Sequence, residues 1–136
     1  MESLKMYQKT IIDFLKSKIL NLQTVIVFGS FANNSANKNS DIDIAFLSKD
    51  KISNIERWQL QEELASKLNK NVDLVDLETA NDVFKFQVAS QGVVIYAACK
   101  RDTEYYLDNI YTAYLQLNDD RKAILDDINN GVYYAR

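Results

Sequence analysis

Apolar Leu4, Tyr7, Ile11, Leu15 and Ile19 recur every three or four positions over residues 3–20, the stripe of an amphipathic helix with Ser3 placed to cap its start. Residues 24–28, Thr-Val-Ile-Val-Phe, are a β-branched and aromatic run that stops at Gly29, as a buried strand ending in a tight turn does. The following stretch, GSFANNSANKNS over 29–40, reads as a loop, because Asn and Ser side chains bond nearby backbone and favour turns over ladders. Residues 41–47 alternate, so a strand there sets Ile42, Ile44 and Phe46 on one face and Asp41 and Asp43 on the other. Ser53 and Glu56 form a capping box ahead of a helix to about residue 68, in which Leu60, Leu64 and Leu68 stack. Residues 72–77 predict a third strand, Thr79 is expected to cap a helix toward residue 91, Gly92 to supply a left-handed turn, and VVIYAA a fourth strand. Across 102–129, Tyr106, Ile110, Ala113, Tyr114, Leu117, Ile124, Leu125 and Ile128 keep helical spacing, as one helix or two.

Composition narrows the class. The 136 residues, 47% hydrophobic and 26% charged, suit one globular domain that buries roughly two-thirds of its unfolded surface. A net charge of -3 lacks the basic footprint of a general nucleic-acid binder, so no direct nucleic-acid binding is expected. The chain has no His, which removes Ser-His-Asp triads, Cys-His pairs, histidine-ligated zinc and histidine acid-base catalysis. Chemistry must run on carboxylates, hydroxyls or lysines. The single Cys99 permits no internal disulfide, and its setting in YAAC predicts a buried thiol in a reducing cytoplasm. The start, MESLKMYQKT, lacks a secretory apolar core, and no apolar run approaches the ~18 residues of a membrane span. The expectation is a soluble cytoplasmic protein without a membrane partner.

Three features are placed to converge: Gly29-Ser30 after the first strand, Asp41 and Asp43 on the second, and Asp73 near the start of the third. Glycine allows close approach of a phosphate to the backbone, and a tight turn offers N–H groups to a triphosphate, with the Ser30 hydroxyl as a further donor. Carboxylates one residue apart project side by side, about 6–7 Å along the strand, and can bridge hard cations such as Mg²⁺. Two such ions about 3.5–4 Å apart activate an attacking hydroxyl and stabilise a leaving pyrophosphate. Strands joined by a helix of this length are normally parallel neighbours whose starts lie level. That favours Asp73 as the third carboxylate over Asp76, which lies about 10 Å further on with opposite parity and reads as a solvated strand-end residue.

The string GSFANNSANKNSDID, with Gly-Ser, ten residues and Asp-x-Asp, resembles the nucleotidyltransferase superfamily that includes DNA polymerase beta and the aminoglycoside nucleotidyltransferases. With the further Asp in NVDLVDL it looks like the minimal nucleotidyltransferase (MNT) group, and more closely it is similar to MntA-type antitoxins, partners of HEPN-domain toxins. The resemblance implies an α/β (α+β) fold: a small mixed sheet of about four strands flanked by helices, with a C-terminal helical segment. It covers about residues 3–98 as the catalytic fold, followed by the helical segment at about 102–129, within a single domain 1–136. It further implies AMP transfer from ATP, with two Mg²⁺ ions, onto a tyrosine hydroxyl of a cognate HEPN ribonuclease. Carried over by position, Asp41 and Asp43 would bind both metals, Asp73 would complete the catalytic metal site and accept the hydroxyl proton, and Gly29 with Ser30 would hold the β- and γ-phosphates. HEPN ribonucleases use an Arg and a His, and a chain without His is then the modifying partner. Where many relatives carry Arg-Gly after the Gly-Ser pair, this chain has Asn33-Asn34, which removes a phosphate or loop contact.

Tyr105, Tyr106, Tyr111 and Tyr114 read first as core and interface residues, with self-modification the alternative, and Tyr133 and Tyr134 as a docking tail or a frayed end. Trp58 and Phe84 read as core rather than base-stacking platforms, and Lys38 either touches phosphate or is solvated. Two other functions compete: a non-enzymatic antitoxin that caps its toxin sterically, and a nucleotidyltransferase acting on small molecules such as aminoglycosides. The latter usually needs an extra acceptor domain, and only about 38 residues follow the catalytic fold.

Overall fold

The computed structural model describes residues 3–129, with side chains as far as residue 117. Helix α1 (Lys5–Lys18) leads into strand β1 (Leu22–Phe28) and a 3-10 turn (Gly29–Phe31). A loop then carries the chain to β2 (Ile42–Ser48), α2 (Asn54–Leu68) and β3 (Val72–Asp76). A second 3-10 turn (Leu77–Thr79) precedes α3 (Asp82–Gln91), β4 (Val93–Ala97) and α4 (Lys100–Asn129), a single helix across the span whose continuity the sequence left open.

The four strands form one mixed sheet in the order β3-β2-β1-β4. β1 runs antiparallel to both β2 and β4, whereas β2 and β3 are parallel, as their joining helix requires. Their register sets Ile42 beside Val72 and Asp43 beside Asp73, so the two strand starts are level. One face packs on α1 and α2 through Ile11, Phe14, Leu15, Ile44, Phe46, Leu64 and Leu74. The other is covered by α3 and α4 over a smaller cluster of Ile26, Ala45, Leu77 and Val88. A 2.7 Å hydrogen bond between the buried hydroxyls of Thr24 and Thr103 ties α4 to β1.

Several local expectations are corrected. Ser3 is not the N-cap of α1: that position is Leu4, without a side-chain cap, while the Ser3 hydroxyl accepts from the Lys5 N–H at 3.3 Å. The cap of α3 is Asn81, whose Oδ1 accepts from the Phe84 N–H at 2.8 Å, because the 3-10 turn absorbs Thr79. Gly92 is extended (φ -78°, ψ 162°), not left-handed. A Cβ there would strike Ile26 Cγ2 and the Val88 carbonyl, so glycine serves the close approach of α3 to β1. Cys99 is exposed rather than buried, because β4 ends at Ala97 and the thiol falls in the turn to α4. Trp58 is 54% exposed and not core, since the buried stripe of α2 runs through Leu64 and Leu68 and leaves Trp58 outside it. The Ser53 cap on the Glu56 N–H is present at 3.2 Å.

Candidate active site

β1 ends at Phe28, and Gly29 turns the chain with φ +72°, a left-handed conformation that a Cβ disfavours. The same Cβ would run into Oδ2 of Asp43, which sits across from Phe28 in the β1–β2 register. Glycine is therefore required twice: to make the bend, and to let the bend lie against a carboxylate.

The Asn/Ser loop behind that bend is held by its own side chains. Asn37 Oδ1 accepts from the Asn39 N–H at 2.8 Å, Ser40 Oγ from the Asn37 N–H at 2.9 Å, and Asn33 Oδ1 from the Ser35 N–H at 3.1 Å. Asn34 takes the left-handed conformation at φ +62°. Asn33 and Asn34 thus shape the turn at the positions where Arg-Gly is common. Phe31 and Ala36 anchor the loop in the core. Lys70 fastens it from outside: its ammonium donates to the Lys38 carbonyl at 2.9 Å and lies 5.7 Å and 5.9 Å from the ring centroids of Phe31 and Tyr7.

The three aspartates sit at one end of the sheet. Asp41 is exposed one residue before β2, whose first N–H, on Ile42, donates to the Asn71 carbonyl at 3.0 Å and fastens that entry to the entry of β3. Asp43 is half-buried, and Asp73 is exposed beside it on the parallel neighbour. Burial, followed by the negative charges of Asp73 and then Asp41, pushes the Asp43 carboxyl up to about 6. Asp43 therefore feels the charge of both neighbouring carboxylates.

Among the described residues, no three acidic or Cys side chains are gathered tightly enough to hold a metal ion by themselves. Mg²⁺ does not need such a cage: it commonly binds through one or two carboxylates together with substrate phosphates and water. An oxygen-only donor set beside a glycine bend that lies against one of its carboxylates fits that mode. Asp76 belongs elsewhere: its Oδ1 accepts from the Glu78 N–H at 3.0 Å, and it pairs with Phe46 at the far end of the ladder.

Asp41 borders an open polar cleft of about 480 Å³ that also includes Lys38, Ser66, Asn69 and Asn71. A cavity of about 410 Å³ lies at the opposite end of β1, among Thr24, Cys99, Thr103 and Tyr106, remote from the carboxylates. Phe84, half-buried, meets Phe28 edge-to-face at 5.5 Å. Tyr111 and Tyr114 pack on Phe86, the latter stacked at 3.9 Å, while Tyr105 is exposed. Tyr133 and Tyr134 lie outside the described residues. Sequence reading missed Lys70, Arg57 and Gln61; the four-residue spacing of the last two on α2 was the available signal.

This geometry agrees with the comparisons to known proteins. The chain belongs to the polymerase beta nucleotidyltransferase family, whose match spans residues 9–101. It is 40% identical over 121 residues to the protein adenylyltransferase MntA of Shewanella oneidensis, covering 89% of this chain and 86% of that protein. Among solved structures it is similar to a toxin-antitoxin with AMP-PNP, at 40% identity and a TM-score of 0.80, over 89% of this chain and 97% of the other. It also matches the complex of tri-AMPylated Shewanella oneidensis HEPN toxin with MNT antitoxin, at 37% identity and a TM-score of 0.76, over 91% and 97% of the two chains. Among the described residues no helix is long and apolar enough to cross a membrane.

Proposed function

We propose that this chain is a protein adenylyltransferase antitoxin, acting as one catalytic unit in the cytoplasm, that transfers AMP from ATP to a tyrosine hydroxyl of a cognate HEPN ribonuclease toxin and so silences it. The observation that carries the proposal is the level placement of Asp43 and Asp73 on parallel strands, with Asp41 one step away and Gly29 bent against the Asp43 carboxylate. The relatives with AMP-PNP and with an AMPylated toxin supply the nucleotide and the acceptor.

Asp41, Asp43 and Asp73 would hold two Mg²⁺ ions, which when bound supply charge neutralisation for phosphoryl chemistry. Gly29 gives the triphosphate access to the backbone of the bend, and Ser30 adds a hydroxyl donor. Asp73, on the outermost strand and exposed, is open to an incoming acceptor and would accept the proton of the tyrosine hydroxyl. The new bond joins the tyrosine oxygen to the α-phosphorus of ATP, the bond from that phosphorus to the bridging oxygen breaks, and pyrophosphate leaves. A site open at the sheet edge suits an acceptor presented by a folded partner.

The test is incubation with α-labelled ATP, Mg²⁺ and the toxin encoded beside this chain. Label is expected on a toxin tyrosine, and to vanish when Asp41→Asn and Asp43→Asn are combined. A toxin that stays unlabelled with the native chain, or is still labelled by the double variant, overturns the mechanism. Full protection of cells by the double variant would establish steric capping in its place.

A further inference from the structure

We propose that Arg57 and Gln61 on α2 form a clamp that positions Asp73, making them positioning residues for AMP transfer; the inference rests on the role of Asp73 given above.

β3 is the outermost strand of the sheet, so β2 alone holds it by a ladder. The Asn71 carbonyl faces β2, where it accepts from Ile42. Alternation then turns the backbone groups of residues 73 and 75 the same way and leaves those of 72, 74 and 76 on the free edge. At Leu74 both free groups are filled from α2. Its N–H donates to Gln61 Oε1 at 2.9 Å, and its carbonyl accepts from Arg57 Nη1 at 2.7 Å. The two side chains, one helical turn apart and half-buried, also meet each other at 3.4 Å.

The Leu74 N–H is part of the peptide plane that joins Asp73 to Leu74. Fixing that plane fixes ψ of Asp73, and with it the direction in which the Asp73 side chain leaves the strand. The Arg57 bond fixes the next plane. Asp73 is thus held from both sides: by the ladder that sets it beside Asp43, and by the clamp that stops the edge strand from twisting away. Covering an open edge is a common need of sheets, and the free groups of 72, 74 or 76 could each meet it. Here the cover falls on the peptide adjoining the carboxylate.

The experiment compares Gln61→Leu and Arg57→Ala, which break the clamp, with Gln61→Glu and Arg57→Lys, which keep an acceptor and a donor. It measures kcat and KM for ATP with the toxin, Mn²⁺ binding to the chain in the presence of saturating AMP-PNP by electron paramagnetic resonance, and Tm. The breaking variants are expected to lose about tenfold or more in kcat, with KM for ATP nearly unchanged because Gly29, Ser30, Asp41 and Asp43 lie on or beside β1 and β2. Mn²⁺ affinity is expected to fall about tenfold, and the conservative variants to recover most of both. Breaking variants that lower Tm yet keep native kcat and Mn²⁺ affinity would reduce the clamp to an edge cover and overturn the proposal. If Gln61→Leu does not fold, Gln61→Asn, which withdraws the acceptor by about 1.5 Å, decides it by the same two readouts. Should the native chain transfer no AMP, the functional reading fails, and the Mn²⁺ arm alone still decides the clamp.

Discussion

The two faces of β2 show how one short strand separates stability from chemistry. Toward α1 and α2 it presents Ile42, Ile44 and Phe46, each no more than 1% exposed, in a core continuous with both helices. Toward α3 and α4 it presents Asp43 and then Ala45, over a much smaller cluster. The first face holds the fold together. The second can therefore carry a carboxylate whose ionisation opposes folding, because the burial that offsets it lies across the sheet.

The contrast breaks hardest on the first face. Phe46→Ala should remove about 3–5 kcal/mol by loss of burial and the cavity left behind. Urea unfolding measures that loss, and the protein that remains folded should still transfer AMP at close to the native rate. A folded Phe46→Ala protein without activity would show that the two faces are coupled.

Gly29→Ala comes next, since it acts on the second face through geometry alone. A methyl group at φ +72° costs about 1–2 kcal/mol, and here it also displaces the Asp43 carboxylate. The expected outcome is a modest fall in Tm with a disproportionate loss of ATP binding, read by titration with a non-hydrolysable analogue. Equal ATP affinity in the variant and the native chain would show that the bend does not serve the nucleotide.

Asp43→Asn should move stability the opposite way. The folded-state pKa of Asp43, about 6, lies above its ordinary value of 3.8, so the group favours folding below about pH 4 and that contribution is lost as pH rises through 6. At pH 7.5 in EDTA the Asn variant is expected to be more stable than the native chain by roughly 1 kcal/mol, after allowance for the water that still reaches the half-buried carboxyl. Below pH 4 the gap should close, and saturating Mg²⁺ should narrow it at neutral pH by neutralising the native site. A variant less stable than the native chain at pH 7.5 would mean that Asp43 has a stabilising partner.

The contrast also explains what could be read from sequence. Alternation in DIDIAF separates the faces of β2, and the length of the 53–68 helix forces β3 parallel, which brings Asp73 level with Asp43. Those signals are local or follow from chain topology. The corrections came where a longer-range contact decided. Gly92 is set by the approach of Ile26 and not by helix termination, and Asn81 replaces Thr79 as a cap because an unforeseen 3-10 turn follows Asp76. The clamp of Arg57 and Gln61 has only helical spacing as its signature, shared by any two polar residues on an exposed helix face. Its meaning appears once β3 is known to be an edge.

The smallest expected effect lies at the back of the second face. Tyr106 packs on the cluster of Ile26, Ala45, Leu77 and Val88, and its hydroxyl is buried without a hydrogen-bond partner among the described residues. Burial, with the charges of Glu78 and Asp76 behind it, pushes the phenol up to about 12, so it stays neutral at any working pH. A buried unpartnered donor costs about 1 kcal/mol or more, and Phe retains the ring that packs. Tyr106→Phe should therefore raise stability by up to about 1 kcal/mol, a gain of a few degrees in Tm, with AMP transfer unchanged. If transfer falls while Tm rises, the hydroxyl has been kept for the toxin complex at the expense of the free chain, and this face serves the partner as well as the carboxylates.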